Sequence, residues 1–309
     1  MDIVTVFGGS GFIGRYVIRE IAKTGARIRA AVRRPELANF LKPMGDVGQI
    51  VPVSANVRNE SSVANAVSSA DTVINLVGVL YPSGKQSFQN LQAKGAKIIA
   101  RQAAAAGAKS FVHISALGAD QNSASMYAST KAQGEEFVLD EFPAAKIIRP
   151  SLVFGPEDDF FNRFAALARI SPVLPLIGGG HSRFQPIYVG DLASAITAAA
   201  GNIETRSKLY EMGGPKTYSF RELIDIILKL TGRRRLLTPI PFQIAMLQAF
   251  FIELLPIPIL TRDQVSLLRH DNIVSGKQLG LADLDIEPTA LETILPTYLK
   301  RFRRGVWHS

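Results

Sequence analysis

The apolar run Ile3-Val4-Thr5-Val6-Phe7 leads directly into Gly8-Gly9-Ser10-Gly11-Phe12-Ile13-Gly14, and an amphipathic stretch follows. No other feature constrains the fold as much as this junction. Gly9-x-Gly11-x-x-Gly14 satisfies the dinucleotide fingerprint, and Gly8-x-x-Gly11-x-x-Gly14 satisfies its wider-spaced variant. Glycines there permit a tight turn and let backbone N–H groups approach a pyrophosphate, while the helix N-terminus adds partial positive charge. A glycine triplet alone is common in βα turns. It gains meaning from the strand before it, the helix after it and the βαβ units that follow.

Those units are present. Runs at 3–7, 27–32, 49–53, 72–77, 110–114 and 146–149 read as strands, and 12–24, 60–69, 86–106 and 125–141 as the helices between them. Strands alternating with helices of this length imply a parallel sheet. The strands are apolar nearly throughout, as expected when helices cover both faces, and right-handed crossovers lead to a doubly wound α/β sheet. The expectation is a Rossmann domain binding NAD(P) over residues 1–150. Beyond Pro150, prolines cluster at 150, 156, 172, 175 and 186, and Gly178-Gly179-Gly180 marks a loop. Helical stretches at 190–200 and 219–231 flank a short strand near 208–212. Residues 151–309 therefore read as a smaller mixed α/β region, interleaved with the first.

The tip of the second strand selects the cofactor. A site for NAD places Asp or Glu about 20 residues past the glycines, on the ribose 2′-hydroxyl. Here the strand runs into Arg33-Arg34. Guanidiniums suit a 2′-phosphate, because they make bidentate, charge-assisted contacts, so the expected ligand is NADP(H). Asn56 and Val57, after the third strand, are placed to meet the adenine. Leu76, Val77 and Gly78, ending the fourth, would pass under the adenosine and ribose.

Composition removes other chemistries. The chain has 309 residues, 47% of them hydrophobic, which is enough to bury a full core. It has no cysteine, hence no disulfide, thiolate metal site or cysteine nucleophile. The 4 histidines show no ligand spacing, so no metal site is expected. A net charge of +9 favours anionic partners. No nucleic-acid-binding motif accompanies that charge, and nucleic acid is not an expected partner. No signal-peptide pattern precedes the first strand.

Tyr127 and Lys131 stand four apart on a helical stretch and so share a face. A nearby ammonium favours phenolate, and the pair could serve as proton donor to a carbonyl receiving hydride. With the phosphate loop, Arg149-Pro150-Ser151-Leu152-Val153-Phe154-Gly155-Pro156 and Pro186-Ile187-Tyr188-Val189-Gly190-Asp191-Leu192-Ala193, this pattern resembles the short-chain dehydrogenase/reductase superfamily in its extended or atypical branch. The resemblance implies that Lys131 also holds the nicotinamide ribose. It implies that residues 150–154, including Pro150, Ser151, Val153 and Phe154, line the nicotinamide. Catalytic members carry a Ser or Thr near the end of the fifth strand. Against Phe111-Val112-His113-Ile114-Ser115-Ala116, the usual His-Ile-Ser-Ser pattern puts the serine before it at Ser115 and the catalytic position at Ala116. Loss of such a donor typically costs on the order of a hundredfold in rate. A one-residue shift would return the role to Ser115.

Further strings narrow the likeness: Asn56-Val57-Arg58-Asn59, Phe161-Asn162-Arg163-Phe164, Leu260-Thr261-Arg262-Asp263-Gln264-Val265 and Ile286-Glu287-Pro288-Thr289. Together they resemble the nucleotide-binding accessory subunits of respiratory complex I, in the alphaproteobacterial form. That resemblance implies a tightly held NADPH with no established turnover, at the junction of the hydrophilic and membrane arms. It implies core subunits near the quinone site as partners. The start at Met1 without a transit peptide suggests a peripheral protein on the cytoplasmic face of a bacterial inner membrane. The catalytic alternative is an NADP-dependent reductase or epimerase, acting on a quinone or isoprenoid intermediate through Tyr127 and Lys131. A redox-sensing module is a third reading.

Residues 242–255, between Pro241 and Pro256, read as an apolar helix of about 21 Å, too short to cross a hydrocarbon core of about 30 Å. Gln243, Gln248 and Glu253 fall on different sides, so it has no clean polar face and is covered by protein or lies on lipid. Arg233-Arg234-Arg235 and Lys300-Arg301-Phe302-Arg303-Arg304, with Trp307, flank it in sequence and suit an anionic lipid surface.

Overall fold

The computed structural model describes residues 1–82, 84, 86–203, 208–255 and 258–303. Arg304 and Trp307, named above, lie outside them. Two compact units emerge. The first comprises Met1–Pro150, Val189–Met212 and Ser275–Glu287, and the second Ser151–Tyr188, Gly213–Val274 and Pro288–Ser309. The region from 151 onward is thus shared between them.

The first unit holds the strands β1 (Ile3–Phe7), β2 (Arg27–Val32), β3 (Ile50–Ser54), β4 (Thr72–Asn75), β5 (Ser110–Ile114), β6 (Lys146–Pro150) and β11 (Lys208–Met212). They form one sheet in the order β11-β6-β5-β4-β1-β2-β3, parallel at every pairing. The order reverses between β1 and β4, and in open α/β sheets ligands bind at that point, beyond the carboxyl ends of the strands. Helices α1 (Phe12–Ala22) and α6 (Val189–Gly201) pack together, while α3 (Lys94–Ala105) lies between α2 (Glu60–Val67) and α4 (Met126–Glu141). Val4, Thr5, Val6 and Phe7 are all buried, because helices cover both sheet faces.

Two local departures from the sequence reading have physical causes. The fourth strand, expected over 72–77, stops at Asn75. The Asn75 side-chain oxygen accepts the N–H of Val77 at 3.0 Å and turns the chain out of the ladder. The helix expected over 86–106 opens as a π turn, Gln89–Ala93, before becoming α-helical at Lys94. Gln92 is fully buried there. Its amide nitrogen donates to the Val79 carbonyl at 2.9 Å, and its oxygen accepts from Thr130 Oγ1 at 2.9 Å.

The second unit packs α5 (Phe160–Ile170), α7 (Phe220–Thr231) and α10 (Leu291–Leu299) around a core that includes Phe154, Phe161, Phe220, Ile224 and Leu295. Two-stranded ribbons join β7 (Val153–Phe154) to β10 (Ile187–Tyr188), β9 (Arg183–Phe184) to β12 (Tyr218–Ser219), and β8 (Val173–Ile177) to β13 (Leu236–Ile240). Ser219 and Glu222 form a capping box at the start of α7, and Gly232 closes it in the left-handed conformation. Asp158 is buried and accepts the N–H of Phe161 at 2.7 Å and the hydroxyl of Tyr298, tying α5 to α10. Burial pushes the Asp158 carboxyl above the usual range.

The apolar helix expected over 242–255 forms as α8 (Phe242–Ile252) and is followed by α9 (Arg262–Leu267). Ala245 and Ala249 turn inward, beside Ile177 and Val265. Ile244, Leu247, Phe250 and Phe251 point outward, as do Leu254, Leu255 and Ile259 beyond the helix. Among the described residues no helix is long and apolar enough to cross a membrane.

Candidate nucleotide site

The glycine-rich turn stands at the reversal point of the sheet. Gly8 adopts φ +78°, and a Cβ on it would lie 3.2 Å from the Leu76 carbonyl. Gly14 is tighter: a Cβ there would meet the Gly8 carbonyl oxygen at 2.3 Å and the Gly9 carbonyl carbon at 2.7 Å. The first turn of α1 therefore presses against the loop through backbone alone. Gly11 is the N-cap of α1 and supplies no side-chain acceptor. First-turn N–H groups thus have no side-chain cap, and with the helix dipole they favour an anion. Ser10, Phe12 and Ile13 are partly buried around this turn.

Arg33 and Arg34 are exposed immediately after β2. Because Phe7 and Ala31 are in register and Gly8 N donates to the Ala31 carbonyl at 3.2 Å, the two arginines leave the sheet beside the glycine loop. Among the described residues neither forms an ion pair. Sequence reasoning left out a third cation. Arg15, on the first turn of α1, donates to the Gly11 carbonyl at 3.4 Å and stacks 5.2 Å from the centre of the Phe40 ring. Its spacing in the first turn of the helix was the available signal.

Asn56 is partly exposed, and its side-chain oxygen accepts the Arg58 N–H at 3.2 Å. Val57 belongs to the core and packs under Gly95, so its side chain is turned away from solvent. Three residues past the end of β4, Gly78 approaches Lys131: a Cβ on Gly78 would lie 3.4 Å from Nζ. Lys131 is 4% exposed and donates to the Ile114 carbonyl at 2.9 Å. Burial lowers its amine to about 8, partly countered by Glu135 one turn on. Glu135 is in turn gripped by both ends of the Arg149 guanidinium, at 2.8 and 2.6 Å. Tyr127 lies one turn before Lys131, its ring centre 6.0 Å from Nζ and packed edge-on against Phe88. Gln92, which sequence reasoning missed, holds α4 in place through Thr130. No local pattern marks it, because its role depends on a contact across the fold.

Ser115 is 3% exposed, and its hydroxyl has no hydrogen-bond partner within the protein. The same holds for Nε2 of His113, two residues earlier near the end of β5. Burial, with the charge of Lys131 adding to it, pushes the His113 ring down to about 3. Buried polar groups are normally paired, so these atoms and the backbone cradle at Gly8–Gly14 fit a ligand rich in hydrogen-bonding groups. Ala116 offers no donor beside them. Pro150 ends β6, its carbonyl accepting the Leu117 N–H at 3.0 Å.

The remaining residues of the expected nicotinamide lining belong to the second unit. The single hydroxyl proton of Ser151 is shared between the Asn272 side-chain oxygen and carbonyl, both at 2.8 Å, and its oxygen accepts the Gln185 N–H at 3.2 Å. Val153 is partly buried. Phe154 is fully buried against Phe161 and Tyr188, so its side chain is a core element that lines no open surface. The described residues hold no cluster of His, Cys, Asp and Glu able to bind a metal ion.

Residues 4–213 match the model of the NAD dependent epimerase/dehydratase family. The chain is 35% identical over 317 residues to "NADH dehydrogenase [ubiquinone] 1 alpha subcomplex subunit 9, mitochondrial" of Arabidopsis thaliana, covering 98% of this chain and 78% of that protein. It is 30% identical over 305 residues to the "NADH-ubiquinone oxidoreductase 40 kDa subunit, mitochondrial" of Neurospora crassa, covering 98% of this chain and 80% of the other. Among solved structures, the NADPH-dependent quinone oxidoreductase of Escherichia coli complexed with NADPH shares the fold at a TM-score of 0.76. It is 19% identical, and the match covers 96% of this chain and 99% of that one.

Proposed function

We propose, for a chain that belongs to the NAD dependent epimerase/dehydratase family and to the branch of it formed by these NADH dehydrogenase subunits, the role of an NADP(H)-binding accessory subunit of a membrane-associated NADH:quinone oxidoreductase. One observation carries the reading. The match to the epimerase/dehydratase model ends at residue 213, whereas the likeness to the oxidoreductase subunits covers 98% of the chain. The stretch of this chain that the likeness covers beyond residue 213 includes α8.

In this reading the first unit holds the nucleotide. The α1 N-terminus and Gly8–Gly14 take the pyrophosphate, Arg33 and Arg34 the 2′-phosphate, and Asn56 and the 76–78 turn the adenosine side. Ser115, Tyr127 and Lys131 meet the nicotinamide ribose. Bound NADPH supplies a hydride donor. Ala116, in place of a hydroxyl, leaves the carbonyl-polarising role unfilled, so the nucleotide serves to hold the fold together and does not cycle. The α8 face seats the chain against core subunits near the quinone site. The chain then lies peripherally on the cytoplasmic face of a bacterial inner membrane, with an anionic lipid surface as its second partner.

The test is to isolate the tagged full-length chain from native membranes under mild detergent. Mass spectrometry is expected to find NADH dehydrogenase subunits in the preparation, and acid extraction to release NADPH. A preparation lacking those subunits would sink the assignment.

A further inference from the structure

The cations of the second unit gather at one end of the β8/β13 ribbon. Arg235 donates from Nε to the Ala168 carbonyl at 2.8 Å, which sets the 233–235 run beside the end of α5, where Arg169 and Ile170 stand. Arg303 donates to the Leu230 carbonyl at 2.9 Å, at the end of α7, whose last turn carries Lys229. Guanidiniums at helix C-termini complement the dipole, which explains their placement. It does not exhaust them: each guanidinium has five donors, and these contacts use few. Among the described residues, Arg169, Lys229, Arg234, Arg235 and Arg303 form no ion pair with a carboxylate. A cleft of about 280 Å³ opens between Gly232 and the three arginines that follow it.

Apolar side chains stand among these charges. Ile170 is 83% exposed and Leu236 66%; Val173 is in register with Leu236 across the ribbon and is also exposed. Singly such residues are ordinary, but three beside unpaired cations make a surface of mixed character. Aliphatic tips that enter the headgroup boundary and cations that meet phosphates are what an anionic bilayer surface selects. The patch is also separate from α8, although the two are neighbours in sequence. β13 lies between them, and its five residues extend roughly 16 Å. Beside α8, Arg262 is already paired with Glu253 at 2.8 Å and Arg269 lies over the Phe242 ring, so fewer cations gather there than at the ribbon end.

We propose that the ribbon end formed by Arg169, Ile170, Val173, Arg234, Arg235 and Leu236 binds the phosphates of anionic phospholipids at a bilayer surface. The proposal rests on the reading of the chain as a peripheral membrane-associated subunit and assigns lipid to this surface, leaving α8 to protein. The purified full chain is mixed with vesicles of phosphatidylcholine, or of equal parts phosphatidylcholine and phosphatidylglycerol, and sedimented. Binding is expected to the mixed vesicles only and to fall with added salt. R234E/R235E is expected to weaken it by at least about tenfold, because each cation near an anionic surface contributes roughly fivefold in affinity. Arg234→Gln/Arg235→Gln, which keeps hydrogen-bonding capacity, is expected to weaken it less while its melting temperature matches wild type. Leu247→Ser/Phe251→Ser is expected to bind as wild type. Unchanged binding by R234E/R235E, or loss with the α8 variant alone, overturns the proposal. Abolition by millimolar inorganic phosphate at constant ionic strength overturns it too, in favour of a soluble phosphate ligand. Because the assay uses the chain by itself, it can fail while the chain still co-purifies with NADH dehydrogenase subunits, and the reverse.

Discussion

The side-chain nitrogen of Asn75 lies 3.1 Å from Nδ1 of His113, while the oxygen of the same amide is already taken by the Val77 N–H. The donor end therefore faces the imidazole, Nδ1 accepts, and the proton of the neutral ring sits on Nε2. That N–H is buried, as is the hydroxyl of Ser115 just past the end of β5. The contact joins the end of β4, which turns at Asn75, to the strand that supplies Ile114 as the anchor of Lys131. A fold-level hydrogen bond thus fixes the polarity of the nicotinamide end of the proposed site.

The stability of the chain should depend on pH through His113. Its ring is held near 3 in the native state and titrates near 6.5 when unfolded. Between those values the unfolded chain binds the extra proton, so stability rises with pH and is lost on acidification. From pH 7.5 to 5 this residue alone should cost about 2 kcal/mol. Urea midpoints across that window, in wild type and His113→Gln, are the check. Parallel curves for the two proteins would refute the assignment.

Much of this was legible in the sequence, for local reasons. The glycine loop, the βα alternation and the basic tip of β2 all follow from neighbours within a few residues. What was hidden depends on long-range pairing. Gln92 looks like any polar helix residue until α4 is packed on it. Phe154 occupies a position that the family resemblance assigns to the nicotinamide lining, yet its burial against Phe161 and Tyr188 is decided by tertiary packing. The arginines at 233–235 and the apolar helix at 242 read as one basic-apolar patch along the chain. The parallel pairing of β13 with β8 instead moves the arginines beside Arg169 and Ile170, which no local pattern connects.

Gly14→Ala should release the nucleotide. The added methyl would sit 2.3 Å from the Gly8 carbonyl oxygen, and backbone lies on the other side as well. The loop must then shift, at a cost on the order of 1–3 kcal/mol. Absorbance of the purified variant at the nicotinamide band, with its melting temperature, reads both effects. A variant that retains full nucleotide occupancy would remove the loop from the site.

Arg33→Ala/Arg34→Ala should discriminate between cofactors. A charge-assisted contact to phosphate is worth about 1.5–3 kcal/mol, so NADPH affinity should fall by at least about tenfold. NADH lacks the 2′-phosphate, and its affinity should change by less than about twofold. Titration calorimetry on nucleotide-free protein measures both. Equal losses for the two cofactors would place the arginines elsewhere in recognition.

The outward face of α8 offers a prediction in which stability and assembly separate. Leu247 and Phe251 are each 61% exposed, so replacing both by Ser removes little buried area. Surface changes of this kind usually alter stability by no more than about 0.5 kcal/mol per site. Ala245 and Ala249 continue to hold the helix beside Val265, and the fold should melt as wild type does. If this face seats on protein in the assembled oxidoreductase, those two apolar anchors carry a large share of its binding energy, since few central residues dominate most interfaces. The variant should then be stable and load nucleotide normally, yet be absent from the complex recovered from membranes. Recovery at the wild-type ratio would show that α8 is not the docking face.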